Sequence, residues 1–186
     1  MDKVGSVILG AAGEHYAMAE LLRRGIVAAK APEGVPNFDI VITDLEGKRL
    51  AALQVKTRRD FKSGDRGWHM KRKHETLLAD KMFYIFVDLG RDLKSQVTFY
   101  ILPADIVAHA CSTSHKIWLE TPNARGEQHK DSDVRRLLPH YEPPNYARKA
   151  GSEQTPYAAE FYRTHSHGWM ECYKNAWWLI TDNIKG

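Results

Sequence analysis

The chain has 186 residues, 43% of them hydrophobic, a formal net charge of +4 and two cysteines. That length supports one substantial core with appended structure; two cysteines without C-x-x-C spacing exclude a disulfide scaffold and finger-type zinc or redox motifs. No apolar run approaches the roughly 20 residues of a membrane span, and the first residues mix charge with small side chains too early for a signal peptide, so a soluble cytoplasmic protein with no membrane partner is expected.

Residues 5–24 are rich in Ala, Leu, Glu, Met and Arg, and Gly25 follows a basic last turn, which predicts a helix that stops there. On a helical wheel Glu14 falls in the middle of the apolar face formed by Met18, Leu21 and Ala17. A carboxylate so placed needs a cation, a metal or several donors to offset its desolvation. A short strand over 26–30 and a loop with Pro32, Gly34 and Pro36 lead to a β-branched strand over 37–43. Asp44-Leu45-Glu46-Gly47-Lys48 reads as a hairpin turn and 49–57 as the return strand. Period-two alternation sends Leu53 and Val55 to one face and Ala52, Gln54 and Lys56 to the other, so the hairpin can gather Asp39, Gln54 and Lys56 on one face.

Further on, 71–80 reads as a short helix, 82–89 as a buried strand and 96–102 as its partner across the Gly90-Arg91-Asp92 turn. Pro103 opens a helix to about Ala110. The polar, Pro- and Gly-containing stretch 120–156 is predicted to be a loop-rich linker between a domain over 1–119 and an aromatic, helical extension over 157–186, broken near Gly168 and packing on the core or on a partner.

Charge is placed unevenly. Between Lys56 and Lys73 stand eight basic and two acidic side chains, a local charge of +6. Such a run suits a phosphate backbone, with Arg58, Arg59, Lys62, Lys71, Arg72 and Lys73 as the candidate contacts, although a solvated face explains a charge run equally well in isolation.

Phosphodiester hydrolysis needs a nucleophilic water, neutralisation of charge on the phosphoryl group and support for the leaving oxygen, which a hard, oxygen-ligated Mg²⁺ can supply. A carboxylate on one strand, an oxygen ligand on its neighbour and a lysine two residues along the same face make a compact site for it. Asp39, Gln54, the Val55 carbonyl and Lys56 meet that description in order. The ordinary alternative is a cross-strand ion pair between Asp39 and Lys56, with Gln54 facing solvent.

A helix bearing Glu14, a strand bearing Asp39, a hairpin and then Gln54-Val55-Lys56-Thr57 together resemble the PD-(D/E)XK nuclease superfamily over roughly residues 5–102. The resemblance implies an α/β, restriction-endonuclease-like αβββαβ core with a central mixed sheet flanked by helices. It implies a Mg²⁺- or Mn²⁺-dependent endonuclease on DNA, with RNA left open; because a concerted cut of both strands needs two active sites, a homodimer is the expectation on symmetry grounds. In that family's terms Asp39 is the metal-binding aspartate and Gln54 the second ligand position. Lys56 orients or polarises the attacking water, and Glu14 is a direct or outer metal ligand. Two departures stand out: Phe38 replaces the proline before the aspartate, and Gln54 replaces an acid, so the site loses one negative charge. A catalytically weak or inactive fold relative that binds nucleic acid in a defence or repair complex is the alternative function.

Other features carry less. Trp68, His69 and His74 sit beside the basic run, where stacking on bases or contacting phosphate competes with simple packing. His109, Cys111 and His115, and His165, His167 and Cys172, are closely spaced but lack paired zinc-ligand geometry. Trp169, Trp177 and Trp178 suit cover of a hydrophobic surface or a dimer contact.

Overall fold

The computed structural model describes residues 5–59, 67–144 and 155–185. Its strands in chain order are β1 (Val27–Lys30), β2 (Ile40–Thr43), β3 (Leu50–Arg58), β4 (Trp68–Lys71), β5 (Met82–Asp88), β6 (Thr98–Pro103) and β7 (Val134–Leu137). The helices are α1 (Ser6–Leu22), α2 (Ala104–Glu120), α3 (Pro156–Thr164) and α4 (Trp178–Lys185).

α1 buries Gly13, Ala17 and Leu21, residues four apart that form one stripe, and the chain leaves it through Gly25 in the left-handed region (φ 75°). β1, β2 and β3 follow as an antiparallel meander; β3 then pairs parallel with β5, and β5 antiparallel with β6. The resulting sheet, ordered β1-β2-β3-β5-β6, is mixed and lies between helices, so the α/β architecture expected from the sequence is the one observed. On one face Ile40, Ile42, Leu53, Val55 and Ile85 pack with α1 and α4. On the other, Tyr84, Phe86 and Leu102 pack with α2 and with Trp68 and Met70 of β4. β5 is buried along nearly its whole length, as a central strand covered on both faces must be.

Three segments differ from their predicted form. Instead of a helix over 71–80, β4 ends at Lys71 and one 3-10 turn spans Arg72–Glu75. Trp68 and Met70 point inward and His69 outward, a period of two that a helix cannot satisfy. α2 continues to Glu120, well past Ala110, because no Gly or Pro interrupts it before Pro122 and Ile117 gives its last turns a buried anchor. Within the stretch expected to be loop, β7 pairs antiparallel with β4 in a two-stranded ribbon (Trp68↔Leu137, Met70↔Arg135). Gly168 (φ 88°) does separate the C-terminal helices, and Trp177, Ile180 and Ile184 are buried in the same cluster as α1, so this segment completes the main core. Among the described residues no helix is long and apolar enough to cross a membrane.

Candidate active site

The β2–β3 ladder ends at the Ile40↔Leu53 pair, which places Asp39 opposite Gln54 where the incoming chain leaves the sheet. Backbone bonds fix Asp39 there: its N–H donates to Leu53 O (2.8 Å) and its carbonyl accepts from Ala31 N–H (2.8 Å). Its side chain takes over where the ladder stops. Oδ2 accepts the Val55 backbone N–H (2.7 Å) and a bond from Gln54 Nε2. The turn that sets this register is closed by Asp44, whose carboxylate accepts Lys48 N–H (2.8 Å), with Gly47 at φ 69°.

Gln54 is 4% exposed, so it is not the solvent-facing residue of the ordinary alternative. Nor do Asp39 and Lys56 form a direct ion pair among the described residues. They sense each other at longer range: burial pushes the Asp39 carboxyl above its usual range, opposed by the Val55 bond and the Lys56 charge. Burial also lowers the Lys56 ammonium, with Asp39 opposing and Lys73 and Lys71 adding to the fall. Asp39 is thus partly removed from water and held by neutral donors alone, and Lys56 is likewise withdrawn without a counter-ion in contact among the described residues, a state typical of sites that work on a bound ligand.

Glu14 reaches this edge of the sheet because α1 lies against β3. A Cβ on Gly13 would sit 1.8 Å from Thr57 Oγ1, so only glycine permits the approach. The sequence left Glu14 in search of a cation or a metal, and the structure supplies Lys30 on β1, with Nζ 2.7 Å from Glu14 Oε2. Glu14 nevertheless lies close enough to influence both Asp39 and Lys56 electrostatically.

Among the described residues no group of three or more His, Cys, Asp or Glu side chains is set to hold a metal ion, which leaves both histidine–cysteine groups without a zinc-like arrangement. Cys111 lies in the apolar cluster, where burial pushes its thiol up to about 12, and His115 Nε2 contacts Asp131 Oδ1 (2.9 Å). The Asp39 site offers one carboxylate and the neighbouring Gln54 amide, with the Glu14 carboxylate near enough to be felt but paired to Lys30. This all-oxygen set suits Mg²⁺ or Mn²⁺, and a cation would relieve the desolvation that now raises Asp39. The residues therefore fit a hard divalent ion, with one fewer charge than an acidic side chain at position 54 would provide.

The six candidate phosphate contacts separate on inspection. Arg58 is engaged inside the fold: its guanidinium donates to Asp88 (Nη2–Oδ2 2.6 Å) and lies over the Trp68 ring at 4.0 Å. Arg59 has a buried Nε with no hydrogen-bond partner. Lys71, Arg72 and Lys73 are exposed, with Arg72 paired to Asp131 (2.5 Å) and Lys73 Nζ donating to Pro36 O. Lys62 lies outside the described residues. Trp68 is packed under the segment, 1% exposed, its indole N–H on Val87 O (3.2 Å).

His74, read from sequence as a candidate phosphate contact, is also buried. Its Nδ1 lies 2.7 Å from the Tyr84 hydroxyl, and desolvation together with Lys56 and Lys73 lowers it to about 3, so the ring is neutral near pH 7. Tyr84 stands beside Gln54 in the β3–β5 register, and the pair forms a dry wall next to the site. Lys30, Gly13 and the His74–Tyr84 pair were not identified as parts of the site from sequence; each acts through a partner distant along the chain. A cavity of about 450 Å³ between α2, β7 and α3 includes none of Asp39, Gln54, Lys56 or Glu14 among its lining residues.

No family model matches the chain, and no curated protein matches it significantly. Among solved structures it is similar to the bacterial homing endonuclease I-Ssp6803I, with 16% identity over 97% of this chain and 94% of that one and a TM-score of 0.49. It is also similar to Hjc, a Holliday junction resolvase from the archaeon Archaeoglobus fulgidus, with 13% identity over 78% of this chain and 98% of that one and a TM-score of 0.40. Both scores lie below 0.5, so neither likeness assigns an activity to this chain.

Proposed function

We propose that this chain is a metal-dependent nuclease of the restriction-endonuclease-like class, and more particularly an endonuclease that hydrolyses phosphodiester bonds in DNA. The observation that carries the reading is the Asp39 carboxylate held by the Val55 N–H beside a buried Gln54, with Lys56 on the same face two residues on. Asp39, the Gln54 amide oxygen and the Val55 carbonyl are the residues to hold Mg²⁺ or Mn²⁺, with Glu14 as a direct or outer ligand. When bound, the ion supplies charge neutralisation and Lewis acidity at the phosphoryl oxygens. Lys56, made less basic by burial, is suited to orient the attacking water or to donate toward charge developing on the phosphate. Arg59, Lys71, Arg72 and Lys73 bring the backbone to that face. A homodimer would give the two centres that a concerted double-strand cut requires.

A second reading is favoured by one observation: Glu14 is paired with Lys30, so little anionic charge is left to hold a metal. In that case the chain is a binding module that docks nucleic acid without cutting it. Cleavage of supercoiled plasmid and of a labelled branched DNA by wild type, Lys56→Ala and Asp39→Ala, each with Mg²⁺, Mn²⁺ or EDTA, separates the two. Metal-dependent nicking that falls roughly 10²–10⁴-fold in both variants supports the nuclease. Binding without nicking under every condition supports the module.

A further inference from the structure

The two-stranded ribbon is an element that the chemistry described so far does not use. Its inner row is fixed: Trp68, Met70 and Leu137 are buried, and Arg135, 4% exposed, donates to Glu75 and to Ser132 O. Its outer row faces solvent, with His69 directly opposite Arg136 and Lys71 opposite Val134. Val134 is 45% exposed, and with Arg136 it also borders the cavity between α2, β7 and α3. Arg72 and Lys73 continue this basic surface past the end of β4, while Asp131 is already occupied by Arg72, Arg135 and His115. Asp133 is the remaining exposed acid at that end.

The dimensions match one receptor well. Strands about 4.8 Å apart with four paired residues at about 3.3 Å each make a rod narrow enough for the roughly 12 Å major groove of B-DNA. A ribbon already paired by its ladder pays less ordering entropy on entering it than an unpaired loop would. Arginine recognises the O6/N7 edge of guanine and an apolar side chain meets the thymine methyl, the two chemistries that the outer row presents in Arg136 and Val134. β4 also follows β3 in the chain and packs against it, and Lys71 at its end and Lys73 just beyond are close enough to Lys56 to act on its charge.

We propose that the β4–β7 ribbon is a groove-reading element that inserts its outer row, Arg136 and Val134 with His69 and Lys71, into the major groove of duplex DNA. This rests on the nuclease reading for its substrate and adds how that substrate is gripped. The ribbon, and not the Asp39 site, then determines which duplexes are held.

The test is equilibrium binding of the full chain, without divalent metal, to three duplexes of one plasmid-derived sequence: plain DNA, DNA with glucosylated hydroxymethylcytosine filling its major groove, and RNA. Wild type should bind plain DNA at least tenfold more tightly than either of the others, since the A-form major groove of RNA is too deep and narrow for a ribbon. Arg136→Ala should lose about tenfold on plain DNA, Val134→Ser should lose affinity in the same direction, and both should be less sensitive to groove filling. Circular dichroism melting confirms that these surface variants are folded. Equal binding of wild type to plain and filled DNA, equal binding to duplex RNA, or an Arg136→Ala variant that binds like wild type overturns the ribbon assignment. Metal-dependent plasmid nicking by wild type, run alongside, reports separately on the nuclease reading, which survives any of those results.

Discussion

Glu14 and Lys30 face each other across the α1–β1 packing, Oε2 to Nζ at 2.7 Å, and the lysine occupies a carboxylate that the helix otherwise presents to the Asp39 site. The pair is a local competitor of any cation there. Lys30→Ala should therefore tighten Mn²⁺ binding a few-fold, the scale of a solvent-accessible ion pair, and Glu14→Gln should weaken it. Isothermal titration calorimetry of the apo protein reads both. Unchanged affinity in Lys30→Ala would remove Glu14 from the metal's surroundings.

Gly13→Ala places a methyl group where Thr57 Oγ1 already lies, in the contact that holds α1 to β3. We expect a loss of about 1–3 kcal/mol in denaturant stability, typical of an overpacked core, together with reduced cleavage because Glu14 moves with the helix. The double variant Gly13→Ala/Thr57→Ser should not regain stability, since the clashing hydroxyl remains, whereas Gly13→Ala/Thr57→Ala should regain part of it. Urea melts of the three proteins decide the matter.

His74 gives a pH dependence with a definite sign. Its folded value, lowered to about 3 by burial and by Lys56, lies below the unfolded value near 6.5. The folded state thus binds fewer protons than the unfolded state between these limits, so His74 contributes stability that is present above about pH 6.5 and lost as pH falls toward 3. His74→Asn should flatten the stability profile in that window. Tyr84→Phe, which leaves Nδ1 without its partner, should cost about 1–3 kcal/mol at neutral pH. Melting temperature measured across the pH range reports both effects.

Arg58 and Arg59 are neighbours with opposite expected behaviour. Arg58 is bonded to Asp88 and lies over Trp68, so Arg58→Ala should lower stability by about 1–3 kcal/mol. Arg59 has a guanidinium nitrogen without a partner, so Arg59→Ala should leave stability within about 0.5 kcal/mol and reduce the salt dependence of DNA binding by about one phosphate. A salt titration of binding paired with thermal melts distinguishes them. An unchanged salt slope in Arg59→Ala would take that residue out of the phosphate path.

How much of this was legible beforehand depends on how local the determining interactions are. The hairpin that unites Asp39, Gln54 and Lys56 could be read directly: alternation assigns Leu53 and Val55 to the core, and a five-residue turn with Asp44 and Gly47 fixes the register. The stop at Gly25, the buried β5 and the basic run are local in the same sense. By contrast, β4 is a four-residue strand too short to announce its period, and its partner β7 lies more than sixty residues away in a polar stretch. Whether Glu14 meets a metal or Lys30, whether His74 touches phosphate or Tyr84, and whether Arg58 reaches solvent or Asp88 are choices between partners. The side chain's own neighbours in the sequence do not encode that choice. Amino-acid order determined the strand faces and the composition of the site, and only the packing of α1, β1 and the ribbon around the sheet decided which charges are paired, which are buried and which are left to meet a ligand.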